Sequence, residues 1–491
     1  MNISWDHLAD YLAWLQDQGD LVRIAAEVDP ALELTEVTQR LCRADDGGPA
    51  IVFENVRGSN MPIVTNLLGA ERRLRRVLRA ESFDAAGHRL IGRLSPDPPR
   101  SWWDMTRWLP HWSEMLRTQP VTVRTAACQH VVHIGRDCDL TRLPIPHLWP
   151  QESGRSITSG QICYLHPETN QRRICSTSLE VLSEDRLRVY WPRSHQGSRW
   201  AAEYHRQQRQ MPIAVVLGGD PLLTYLSAAP LPEGVDPYVW AGYLRGRSVE
   251  LVKCRTHNLE VPAGAEIILE GFLDLSTEGD AAPSLGINGG FLVNETGMVN
   301  PPMPFPTLLV SAVTQRSNPF FPVMIHGGRG HEDYWIGKAN ERIVLSFARL
   351  FLPEIIDWHF PRSGRFRHYL FVKIRNEFPD QAHKAIQGIW SLHPTVHAKF
   401  IVVVDDDVDV HDENEVWETV GSMVNPRRDT IIVDGPLDEW DHAVAVLGVG
   451  QKMGIDATRR WKAEGSGIPV PPTTEMDPQM VQRVTERWSD F

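Results

Sequence analysis

From about residue 120 to residue 315 the chain breaks into short β-like segments separated by proline and glycine, and this limits its possible folds more than any other feature. Val121-Thr122-Val123, His130 to Ile134, Ile174 to Leu179, Leu187 to Trp191, Ile213 to Leu217 and Ile267 to Leu269 all read as strands. Their length and spacing suit a β-barrel or sandwich. The flanks read differently. At the N-terminus Trp5, Leu8, Tyr11, Leu12 and Leu15 recur at helical spacing, with Ser4 as a cap and Gly19 as a stop. Ile51-Val52-Phe53 and Ile63-Val64 then alternate with helical signals, as in an α/β unit. The tryptophans at 102, 103, 108 and 112 read as a packed junction. Beyond the β-rich stretch comes a helix over Glu332 to Leu352, and then Lys399 to Val404 and Thr430 to Val433, continuous apolar runs that predict strands covered on both faces. The tail beyond Glu464 is rich in proline and glycine and ends in one helix.

A length of 491 residues allows about three domains. The 50 Lys plus Arg against 62 Asp plus Glu give a net charge of −12, which argues against nucleic acid or an anionic membrane surface as partner. No apolar run approaches the ~20 residues of a membrane helix, and the first residues lack the basic and apolar regions of a signal peptide. Six dispersed cysteines without a C-x-x-C pair read as free thiols in a reducing cytoplasm, not as a disulfide framework or zinc site.

The common nucleotide, hydrolase and zinc-protease motifs are absent. The run from His326 through His331 to Asp333 is the best phosphate or metal candidate by composition, because glycines let the backbone approach an anion and Arg329 can pair with it. A turn before a helix, with Glu332 and Asp333 in the first helical turn, accounts for it better. Asp405-Asp406-Asp407 and Asp409 likewise read as a solvated turn with helix caps rather than a cation site.

Longer stretches carry a resemblance. They are Gly450-Gln451-Lys452-Met453-Gly454-Ile455-Asp456-Ala457-Thr458, Pro426 to Thr430, Lys399 to Asp409, Glu332 to Lys338, Ala241 to Gly246, Leu259 to Glu266, Gly48 to Asn55 and Leu143 to Pro146. In that order they resemble the UbiD-like decarboxylase family, which includes 3-octaprenyl-4-hydroxybenzoate and ferulic acid decarboxylases. The resemblance implies a mixed α/β (α+β) fold with an N-terminal α/β region (1–120) and a central split β-barrel of the flavin-binding type (121–318). A connecting helix (319–350) and a C-terminal α/β oligomerisation domain (351–491) follow. It also implies prenylated FMN, a divalent metal (usually Mn²⁺) and often K⁺, acting on an aromatic or α,β-unsaturated carboxylic acid. A homodimer or homohexamer is expected, or a complex with a paralogue.

The family's reacting residues are replaced here. An Asn that binds the metal, five residues before an Arg, corresponds to Arg173, and that Arg to Ser178. The metal-binding Glu corresponds to Pro237, with Asp236 beside it. The acids of the E-G-P-[FY]-G-[DE] segment are missing from Ala282-Pro283-Ser284-Leu285-Gly286-Ile287. Only the metal-binding His is retained, as His195. Arg173 in the place of a metal ligand adds positive charge and removes a donor atom, so the expectation is no standard metal site and a guanidinium that pairs with a phosphate instead. Expected cofactor contacts are Arg173, Ser178, Trp191, His195 and Lys399, with Lys452 a further phosphate candidate. Proton donors are sought among His195, Asp236, Glu295, His326 and His331. A decarboxylase with a rebuilt site comes first; an accessory subunit, or an enzyme independent of prenylated FMN on the same fold, is the alternative.

Overall fold

The computed structural model describes residues 5–44, 46–94, 117–192, 194–232, 234–275, 291–294, 297–300, 305–327, 332–438, 441, 443, 448–459, 474 and 476–491. The N-terminal region contains α1 (Leu8–Asp17), β1 (Leu21–Val28), α2 (Glu33–Leu41), β2 (Ala50–Val56), β3 (Ile63–Thr65), α3 (Glu71–Val77) and α4 (Phe83–Leu94). The expected apolar face of α1 is buried through Leu8, Tyr11, Leu12 and Leu15. Its helical turns begin after His7, and Gly19 follows them at φ +69°, a left-handed conformation that glycine adopts without strain. Ser4 and the four tryptophans between 102 and 112 lie outside the described residues.

The β-rich middle contains β4 (Val121–Val123), β5 (Val131–Ile134), β6 (Ser156–Ile157), β7 (Gln161–Leu165), β8 (Arg172–Ser176), β9 (Leu179–Ser183) and β10 (Arg186–Val189). Next come α5 (Gln196–Arg206), β11 (Met211–Leu217), α6 (Pro221–Ala228), α7 (Pro237–Arg245), β12 (Glu250–Lys253), β13 (Glu260–Pro262) and β14 (Ile267–Asp274). The last strands are β15 (Leu292–Val293), β16 (Val299–Asn300), β17 (Thr307–Gln315) and β18 (Phe321–Val323). Nine of them form one antiparallel, curled half-barrel sheet in the order β6-β9-β10-β17-β14-β11-β7-β8, with β5 also on β17. Both faces are covered, which explains the unbroken apolar run of β11. Ile213, Val215 and Leu217 enter one core, whereas Ala214 and Val216 enter the other, packed with α1 and α6. The span expected as one strand from Ile174 to Leu179 is two strands, β8 and β9, which turn at Thr177 and Ser178.

β18 leaves the half-barrel and pairs in parallel with β3, completing the sheet β1-β2-β3-β18. The stretch 319–350 therefore holds a strand of the first sheet as well as helix α8 (Glu332–Ala348). The C-terminal elements are β19 (Ile355–His359), β20 (Tyr369–Ile374), α9 (Gln381–Ser391), β21 (Phe400–Val404), α10 (Glu413–Met423), β22 (Thr430–Pro436), β23 (Val449–Asp456) and α11 (Pro478–Glu486). β21 is central in the order β19-β20-β21-β23-β22, and its residues 401–404 are fully buried. β22 departs from expectation. It is an edge strand paired only with β23, and Ile432 is 56% exposed, so its apolar run is not covered on both faces.

Candidate active site

Arg172 and Arg173 are consecutive on β8, so their side chains leave opposite faces of the strand. The Arg172 guanidinium donates to Asp236 Oδ2 at 3.1 Å and Glu260 Oε2 at 3.2 Å, and lies 4.9 Å from the centroid of the Tyr238 ring. Asp236 is also the N-cap of α7: its Oδ1 accepts the amides of Tyr238 (2.8 Å) and Val239 (3.3 Å), and Pro237 occupies the first turn. Asp-Pro here is a helix start, which explains the proline. Both oxygens of Asp236 are thus engaged.

Arg173 turns the other way. Its Nε donates to Gln196 Oε1 at 2.7 Å, while the two Nη groups donate to the carbonyls of Pro232 (3.0 Å) and Leu231 (3.2 Å). Gln196 follows His195, the N-cap of α5. His195 Nδ1 accepts the Gly197 amide at 3.0 Å, an assignment that puts the ring proton on Nε2. Burial, helped by the charges of Arg199 and Arg173, pushes its pKa down to about 4, so the ring is neutral at pH 7. The imidazole stacks on Trp191, with centroids 5.2 Å apart and planes 19° apart. Trp191 is buried against Tyr164, and a Cβ on Gly197 would stand 2.7 Å from the indole. Glycine is what lets α5 start there. Ser178 joins this corner through its carbonyl, which accepts the Tyr190 amide at 3.2 Å.

The other expected residues lie in separate contacts. His326 Nδ1 meets both oxygens of Asp333 at 3.0 Å, and the His326 carbonyl accepts the Trp149 indole N–H at 3.0 Å. Next to Asp333, Glu332 is buried and accepts the Leu68 amide at 2.8 Å; burial pushes its carboxyl up to about 7. Lys399 pairs with Asp441 at 2.8 Å, and Lys452 donates to the Val396 carbonyl, so a phosphate contact from either must displace an existing partner. Asp405 accepts the Arg459 amide at 2.7 Å, Asp407 pairs with the Arg459 side chain, and Asp409 accepts the His411 amide at 2.9 Å. Glu295, His331, Arg329 and the segment Ala282 to Ile287 lie outside the described residues.

Sequence reasoning missed Arg172, Glu260 and Gln196. The period of two in a strand was the available signal: of two adjacent arginines, one had to face α7 and the other α5.

Three family descriptions match successive parts of the chain. They are the N-terminal domain (residues 12–93), the Rift-related domain (119–329) and the C-terminal domain (334–457) of 3-octaprenyl-4-hydroxybenzoate carboxy-lyase. The chain belongs to the UbiD family. An uncharacterized protein of Aquifex aeolicus is 37% identical over 488 residues, covering 99% of each chain. One of Archaeoglobus fulgidus is 33% identical, over 100% of this chain and 99% of that one. Among solved structures, the UbiD-class enzyme HmfF from Pelotomaculum thermopropionicum, in complex with FMN, is 26% identical with a TM-score of 0.76, covering 99% of each chain. Vanillic acid decarboxylase of Sedimentibacter hydroxybenzoicus shares the UbiD fold at a TM-score of 0.82 and 20% identity, again over 99% of each chain. No helix among the described residues is long and apolar enough to cross a membrane.

Proposed function

We propose that this UbiD-family protein is a carboxy-lyase that decarboxylates a small aromatic or α,β-unsaturated carboxylic acid at a site built without the divalent metal. The observation that carries this reading is the pair of arginines on β8. A divalent cation needs neutral or anionic ligands with open lone pairs. Arg173 stands in one ligand place and Pro237 in another. His195 spends its Nδ1 lone pair on a helix cap and carries its proton on Nε2, while both oxygens of Asp236 are taken. The Arg172 guanidinium already supplies the positive charge between Asp236 and Glu260. The metal does not fit, and no step is assigned to it.

A flavin fits this corner better. Arg173, on β8 and bonded to Gln196 at the start of α5, carries a guanidinium that would bind a phosphate bidentately by releasing the Pro232 and Leu231 carbonyls. Ser178, Trp191 and His195 line the same corner. Prenylated FMN, if held there, supplies the electron sink for C–C cleavage. The chain's own residues bind the acid, keep water out and return a proton to the carbon that loses CO₂. Neutral His195 is a weak acid for that last task. His326, whose ring is held through Nδ1 by Asp333, is the alternative proton donor of this reading. A homo-oligomer, or a complex with a paralogue, remains the expected assembly.

Protein produced together with a flavin prenyltransferase should release CO₂ from members of a panel of aromatic and enoic acids. Arg173→Ala should lose bound flavin or substrate, with Arg173→Lys recovering part. Flavin-free, inactive protein, alone and beside its paralogues, would overturn the proposal.

A further inference from the structure

A second cluster lies apart from these residues, where the turn after β12 folds against β14. Cys254 directly follows β12, His257 sits three residues later in the turn, and Glu270 comes from the middle of β14. One ligand atom from each lies within 4.8 Å of the other two. Cys254 is 8% exposed, Glu270 is fully buried and His257 is half-buried, which leaves an approach from solvent.

Two features single this cluster out. Glu270 is a carboxylate at zero exposure, and among the described residues it makes no ion pair; its partners there are backbone amides and one hydroxyl. A buried charge of this kind calls for a counter-charge. The geometry also leaves ligand positions open. Glu270 Oε2 accepts the Arg255 amide (2.7 Å), the Thr256 amide (2.8 Å) and the Thr256 hydroxyl (3.0 Å), whereas Oε1 only shares the Arg255 amide at 2.9 Å. His257 Nε2 donates to the Ile213 carbonyl at 3.0 Å, which turns Nδ1 into the acceptor, and Nδ1 takes only a long bond from the Leu259 amide at 3.4 Å among the described residues. A ring N–H anchored on a backbone carbonyl is the usual outer contact of a metal-binding histidine.

We propose that Cys254, His257 and Glu270 form a binding site for a borderline-soft divalent cation of the zinc class, with water completing a tetrahedron. Thiolate, imidazole and carboxylate are the ligand set such a cation prefers. On binding, the Cys254 thiol gives its proton to solvent, and the thiolate and carboxylate then neutralise the two positive charges. Tetrahedral coordination at about 2.0–2.3 Å sets ligand atoms roughly 3.5 Å apart. The cluster therefore closes by about 1 Å on binding, through the turn that carries Cys254 and His257. The site shares no residue with the Arg172–Arg173 region, and its occupancy is independent of the decarboxylase reading.

The test uses the full chain, stripped with a chelator, incubated with Zn²⁺ or Co²⁺ alone, and desalted. One retained equivalent of zinc is expected, with a thiolate–cobalt absorption band in the Co²⁺ form. Cys254→Ser should abolish the band, and His257→Asn should weaken zinc retention by at least about tenfold. His257→Asn alters only a half-buried turn residue, so it decides the question even if Cys254→Ser does not fold. No retained zinc in the unmodified chain, or retention equal in both variants, overturns the proposal.

Discussion

Arg172 and Asp236 are 64 residues apart in sequence and meet across 3.1 Å, tying the edge strand β8 to the first turn of α7. Glu260, from β13, takes the other arm of the same guanidinium. One arginine thus joins a half-barrel strand, a helix cap and the small β13-β12-β4 sheet.

Removing that arginine leaves two partly buried carboxylates facing one another. Arg172→Ala should cost about 2 kcal/mol in chemical denaturation, below the usual cost of breaking a fully buried pair because Asp236 and Glu260 keep some solvent. Added Mn²⁺ should recover part of the loss in this variant and leave the unmodified protein unchanged. An equal Mn²⁺ response in both would separate the arginine from any cation-like role.

His195 makes stability depend on acid. Its folded pKa is lowered from 6.5 to about 4, so between those values the unfolded chain binds more protons than the folded one. The stabilisation is complete above about pH 6.5 and is lost as pH falls towards 4. For a half-buried ring the loss should be about 2 kcal/mol. His195→Gln should flatten this part of the pH–stability curve.

Glu332 acts in the opposite sense. Burial raises its folded pKa from 4.5 to about 7, so its contribution is complete below pH 4.5 and is lost as pH rises through 7. Glu332→Gln keeps an oxygen for the Leu68 amide and removes the buried charge. The variant should melt higher than the unmodified protein at pH 8, by up to about 2 kcal/mol, and nearly equally at pH 5. A lower melt at both values would show that the carboxylate is paired while charged.

Much of the architecture was legible because its signals are local. The alternating face of α1, the apolar run at 400–404 and the Pro/Gly-punctuated strands each reflect a periodicity of a few residues. β22 shows where this fails: Thr430 to Val433 is as apolar as a central strand, but only sheet order makes it an edge. β18 shows the same limit, since nothing in Phe321-Pro322-Val323 signals a partner at Ile63 to Thr65. Of the residues expected at the site, Arg173 and His195 fall in one corner joined by Gln196. Their partners were not legible, because Arg172–Asp236, Arg172–Glu260 and Cys254–Glu270 are contacts between elements. A search for paired cysteines also passes over a C-x-x-H turn whose third ligand comes from another strand.

Arg173 stands where the family resemblance places a metal ligand, and on the proposed function the site works without that metal. The most direct measurement is CO₂ release by flavin-loaded protein after exhaustive chelation, with elemental analysis of the same sample, before and after Mn²⁺ is restored. Equal turnover in both states is expected, with no Mn²⁺ bound in stoichiometric amount. Loss of activity on chelation, recovered by one equivalent of Mn²⁺, would contradict the proposed function.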